Sequence, residues 1–72
     1  MPITVAVRGL DIEGYCNQIA DGGLGTFLRE EFGVGSEVRL QFVVPPQATQ
    51  LRVQAVVRYQ IGFQHGLEFT SL

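Results

Sequence analysis

The sequence predicts an all-β protein, a small antiparallel β-barrel of six short strands with little or no helix. Apolar residues recur with period two over most of the chain, and they are rich in Val, Ile and Phe, which pack well on a pleated surface. Clusters of Gly, Pro and Asp separate these alternating runs, as turns between short strands do. At 72 residues the chain is too small for two full sheets, so one sheet closed on itself is the economical way to bury a face and remove exposed edges.

Each element follows from the pattern in turn. Ile3, Val5 and Val7 alternate with Thr4, Ala6 and Arg8 in a first strand that ends near Gly9. Asp11 to Gly14 reads as a turn. A short strand from Tyr15 to Ile19 pairs back on the first, with Cys16 and Gln18 alternating against Tyr15, Asn17 and Ile19. Asp21-Gly22-Gly23-Leu24-Gly25 concentrates glycine, as a positive-φ turn or a bulge requires, and Thr26 to Leu28 continues as a third strand. Arg29-Glu30-Glu31-Phe32 is read as strand running into turn; the alternative, a helical turn capped by Thr26, is ended at once by Gly33 and Gly35.

Val38, Leu40, Phe42 and Val44 alternate with Glu37, Arg39, Gln41 and Val43 in the clearest half-buried strand, which Pro45-Pro46 stops. A loop covers Gln47 to Gln50. Leu51, Val53, Ala55, Val57 and Tyr59 then form the apolar side of a second long strand, with Arg52 and Arg58 on its wet face. Gly62 marks the next turn, and Phe63 to Thr70 completes the set with Leu67 and Phe69 inward and Glu68 outward.

Composition narrows the function. The length leaves room for one domain, residues 1–72. The single cysteine, Cys16, allows neither an intrachain disulfide nor a multi-cysteine metal site, and it suits a reducing compartment. Seven acidic residues against five arginines and no lysine give a formal charge of −2, without the dense positive field that DNA or RNA binding requires. No apolar run approaches the roughly 18 residues that span a bilayer, and no secretory leader is recognisable, so a soluble, cytoplasmic chain without membrane insertion is expected.

The inventory for catalysis is thin, and no enzyme is expected. The one histidine, His65, reads as a polar residue at the surface or strand edge, and Cys16 as a small buried hydrophobe rather than a thiol nucleophile paired with it. Asp11 with Glu13 and Glu30 with Glu31 read as solvated acids. Gly22-Gly23-Leu24-Gly25 lacks the Lys-Ser/Thr of a P-loop. Arg39, Arg52 and Arg58 make a modest basic strip, offset by Glu37 and Glu68, that leaves a small anionic ligand open.

As an ordered pattern the chain resembles the PilZ domain, a bacterial family whose founding activity is binding the second messenger cyclic di-GMP. The likeness covers nearly all of the sequence. It rests on Val5-Ala6-Val7-Arg8-Gly9-Leu10-Asp11-Ile12-Glu13-Gly14, on Ile19-Ala20-Asp21-Gly22-Gly23-Leu24-Gly25, on Gly35-Ser36-Glu37-Val38-Arg39-Leu40-Gln41-Phe42, on Ala55-Val56-Val57-Arg58 and on Gly66-Leu67-Glu68-Phe69. The resemblance implies a six-stranded split barrel, a role in cyclic di-GMP signalling, no resident cofactor, and a ligand site built from an RxxxR motif and a D/N-x-S-x-x-G motif.

In register with the second motif stand Gln18-Ile19-Ala20-Asp21-Gly22-Gly23, of which Gly23 alone matches, with Gln18 in the place of the acid or amide and Ala20 in that of the serine. No two arginines are four apart, and Arg8 is the nearest stand-in for the arginine motif. The ligand-binding candidates are therefore Arg8, Gln18, Ala20, Asp21, Gly22 and Gly23, with weak or no independent binding of cyclic di-GMP expected; the alternative is a nucleotide-independent interaction or oligomerisation barrel. Family members often carry a helix over one barrel end after the last strand, and here Thr70-Ser71-Leu72 closes the sequence. An uncovered end is expected to favour a protein partner or self-association.

Overall fold

The computed structural model describes residues 1–44 and 49–71. Six strands follow one another as β1 (Pro2–Val7), β2 (Leu10–Ala20), β3 (Gly23–Leu28), β4 (Glu37–Val44), β5 (Thr49–Ile61) and β6 (Gln64–Ser71). All neighbours pair antiparallel in the order β1-β2-β3-β6-β5-β4, and β1 pairs with β4 to close the barrel. The predicted all-β barrel is thus the fold, with no helix among the described residues.

Inward positions alternate as a half-buried strand demands. Ile3, Val5 and Val7 of β1, Val38, Leu40 and Phe42 of β4, Val53, Ala55 and Val57 of β5, and Leu24, Leu28 and Leu67 of β3 and β6 make one continuous core. Cys16 lies in it, buried as a small hydrophobe, with its thiol donating to the Gln18 carbonyl at 3.2 Å.

The first hairpin differs from the expectation. Its turn is Arg8-Gly9, not Asp11 to Gly14, because Val7 pairs with Leu10, and the type I′ form of a two-residue hairpin turn takes positive φ at both positions. Arg8 and Gly9 supply it, at φ 52° and 81°. Asp11 to Gly14 lie instead within β2, which is much longer than the Tyr15–Ile19 segment expected.

The glycine cluster also divides differently. Asp21 and Gly22 alone form the turn, since Ala20 pairs with Gly23, and Gly23 to Gly25 already belong to β3. None of Gly22, Gly23 and Gly25 has positive φ. What Gly23 supplies is close approach: a Cβ there would run into the Leu67 carbonyl oxygen of β6.

Three register shifts interrupt the ladders, one of them between Gln54 and Ala55 of β5, and the other two re-phase the outer wall near the β2–β3 turn. The register of β2 on β3 shifts between Cys16 and Gln18, so Cys16 points inward while Gln18 stands opposite Gly25 on the outer face. The register of β5 on β6 shifts between Val57 and Tyr59, which puts Tyr59 outside against Gly66 rather than on the apolar side expected for it. Leu51, also expected inward, is exposed. Thr49 and Gln50 belong to β5 and not to the preceding loop, while the stop at Pro45-Pro46 and the start of that loop lie outside the described residues.

His65 is not at the surface. It is fully buried at the inner face of β6, where its Nε2 accepts from the Phe32 amide and its Nδ1 bonds the Phe63 carbonyl, both at 2.9 Å. Because Nε2 accepts, the ring proton is assigned to Nδ1, and one neutral imidazole satisfies two backbone groups. It thereby ties the connection between β3 and β4 to the barrel, together with the Gly35 amide on Val57 and the Val57 amide on Ser36.

Candidate functional site

The β2–β3 turn and its flanks overlook a shallow groove of about 380 Å³ on the outer wall. Gln18 and Ala20 of β2 stand on one side, and Arg58 and Tyr59 of β5 with Glu68 of β6 on the other. Between them the floor is glycine: Gly25 pairs with Gly66 across β3 and β6, one step from the pair of Gly23 with Glu68. Three positions without side chains lower the floor to backbone level, while the Tyr59 ring lies directly over Gly66. The turn is stitched to β6 by the Phe69 amide, which donates to the Gly22 carbonyl at 2.8 Å.

Four of the six predicted residues, Gln18, Ala20, Gly22 and Gly23, line this groove. Asp21 does not; it is exposed on the turn. Arg8 does not either. The β1–β2 turn holds it at the other end of β2, although the strand coils round the barrel and brings that turn toward β6, where Thr70 shares its cleft and the neighbouring Phe69 bonds Gly22. There it lines a separate cleft of about 410 Å³ with Glu37, Arg39 and Gln54.

The arginine that does line the groove is Arg58, at the β5 register shift. Its Nε and Nη2 both donate to Glu68 Oε1, at 2.9 and 2.7 Å, so the cation is already matched by an anion in the same groove. Both side chains are more than half exposed, which screens the pair and keeps its contribution to stability below about 1 kcal/mol. The groove thus offers a hydrogen-bonding amide at Gln18, an aromatic ring at Tyr59 and no net charge from its one ion pair. Arg58, Tyr59, Gly66 and Glu68 were not identifiable as its lining from spacing, since only the cross-strand register brings them to Gly23.

Elsewhere, among the described residues, no three of His, Cys, Asp and Glu gather as a metal site would require. No described helix is long and apolar enough to cross a membrane. The whole chain, residues 1–72, matches the family model of the PilZ domain. The chain belongs to the PilZ domain family. The groove at Gly23 therefore sits on a PilZ barrel, in a family of cyclic di-GMP-binding signalling domains rather than catalysts. No curated protein and no solved structure matches this PilZ chain.

Proposed function

We propose that this PilZ barrel is a cytoplasmic signalling module whose groove holds cyclic di-GMP weakly or not at all by itself, and whose output runs through protein contacts. The observation that carries the reading is the state of Arg58: the arginine in the groove spends two N–H donors on Glu68. A cyclic dinucleotide brings two phosphate charges, and each charge-assisted hydrogen bond missing at a phosphate or guanine edge forgoes roughly 1.5 to 3 kcal/mol. Ala20 presents no hydroxyl and Arg8 faces another cleft, so neither supplies the difference.

Titration calorimetry with cyclic di-GMP tests this on three proteins: the chain itself, the Glu68→Gln variant, and the chain extended at its start by a leader carrying RxxxR. The unaltered chain is expected to show no saturable heat at about 100 μM ligand. Glu68→Gln frees the guanidinium and is expected to tighten binding roughly tenfold, and the extension to do more. Micromolar binding by the unaltered chain overturns the reading. Silence from all three would favour the second reading, a barrel that works through protein contacts independently of nucleotide.

A further inference from the structure

The outer wall carries an aromatic surface that the groove does not use. Tyr15 and Phe27 are direct cross-strand partners on β2 and β3, both outward, and Phe63 of the β5–β6 turn adjoins them through the Leu28 amide, which donates to the Phe63 carbonyl at 2.9 Å. They are 59%, 49% and 55% exposed, and they border a depression of about 580 Å³. Just past the Gly14–Leu28 pair that ends the β2–β3 ladder, Glu13 of β2 and Arg29, the residue after β3, both line that depression and both are exposed. Among the described residues the only ion pair is Arg58 with Glu68, so neither Glu13 nor Arg29 is held by a partner of its own chain.

We propose that this face binds a second copy of the chain, β2 of each barrel lying over β3 of the other. A two-fold axis parallel to the strands and midway between β2 and β3 sets Tyr15 on the partner's Phe27 and Phe27 on the partner's Tyr15. The same rotation sets Glu13 on the partner's Arg29 and Arg29 on the partner's Glu13. Each of the two pairs is thus the complement of itself reversed, acid with base and phenol with phenyl, which is what an isologous contact requires. Strand addition is not open to this barrel, because β1 and β4 close the sheet, so association must be face to face.

The size of the patch sets the strength. Three half-exposed rings leave on the order of 350 Å² of apolar surface per copy, which with a polar rim of Glu13 and Arg29 falls at the low end of specific interfaces. The dimer is accordingly weak, with a dissociation constant of about tens of micromolar. It is independent of nucleotide, since Glu13, Tyr15, Phe27 and Arg29 lie outside the groove at Gly23.

Analytical ultracentrifugation of the full chain from about 10 μM to about 1 mM tests the contact, with thermal melting of dilute samples as the folding control. Glu13→Arg is expected to weaken dimerisation at least roughly tenfold by setting like charges together, and E13R with R29E in one protein to restore it. Phe27→Ser is expected to leave a folded monomer at every concentration. A wild-type chain monomeric at about 1 mM overturns the proposal and leaves the face to a different protein; so does a double swap no stronger than the single one.

Discussion

Gly23→Ala is expected to cost about 3 kcal/mol or more and to lower the melting temperature by roughly 15 °C, or to prevent folding, whereas Gly66→Ala is expected to change stability by less than about 1 kcal/mol. Both glycines lie on the outer face of the same sheet and both lack room for a methyl group, yet what fills the space differs. At Gly23 it is the Leu67 carbonyl oxygen, part of the β6 backbone that pairs with β3. Relief requires the two strands to part where Gly23 opposes Glu68, with loss of ladder hydrogen bonds. At Gly66 it is the Tyr59 ring, which is 45% exposed and can swing into solvent about its own χ angles. Replacing glycine in a strand also lowers the entropy of the unfolded chain, which offsets part of that displacement. Denaturant unfolding of the two variants side by side checks the contrast; equal costs would show that the carbonyl at Gly23 yields as readily as a side chain.

His65→Ala is expected to destabilise the barrel by about 3 to 5 kcal/mol, from a buried cavity and from two backbone groups that lose their side-chain partner. The Phe63 carbonyl retains the Leu28 amide, but the Phe32 amide has no other bond in the structure. His65→Leu, which restores volume without the ring nitrogens, should therefore recover only the cavity part and still cost about 2 kcal/mol. Amide hydrogen exchange separates the two contributions: protection at Phe32 should be lost in both variants. If leucine leaves that amide protected, the imidazole is packing and not a tether.

The pattern made β4 and β5 legible because each has one consistently apolar face, and Val38, Leu40, Phe42, Val53, Ala55 and Val57 are all buried as the alternation requires. It did not reveal β2, whose inward residues before its register shift include Gly14 between Ile12 and Cys16; a glycine there looks like a turn and breaks the visible period. In the structure Gly14 sits under Leu28, where a Cβ would collide with that side chain. The shifts near Asn17 and Arg58 escaped the sequence for a different reason. A bulge is defined by what lies opposite, and the opposing residues come from other strands. The same limit applies to the site: Gln18, Ala20, Gly22 and Gly23 are near neighbours in sequence and are legible together, while Arg58 and Tyr59 come from β5 and Arg8 lines a different cleft. His65 was misplaced because a lone polar residue in a strand carries no sign of the backbone groups that will come to meet it.

The strand order has a kinetic consequence. Four of the six pairings join consecutive strands, so the barrel is two three-stranded meanders, β1-β2-β3 and β4-β5-β6, linked by residues 29–36. Hairpins of this kind zip within microseconds, but the two seams between meanders, β3 on β6 and β1 on β4, must first close long loops. The loops they close differ little in cost, but the β1–β4 seam has fewer pairs, running only from Thr4 with Gln41 to Ala6 with Arg39, so it returns least on closure and is expected to form last. Mutational analysis of refolding would place Val53→Ala early and Val5→Ala late if this order holds. Until that seam shuts, the chain is an open sheet with two bare edges, so its exposure to aggregation is confined to the interval of folding and ends with closure.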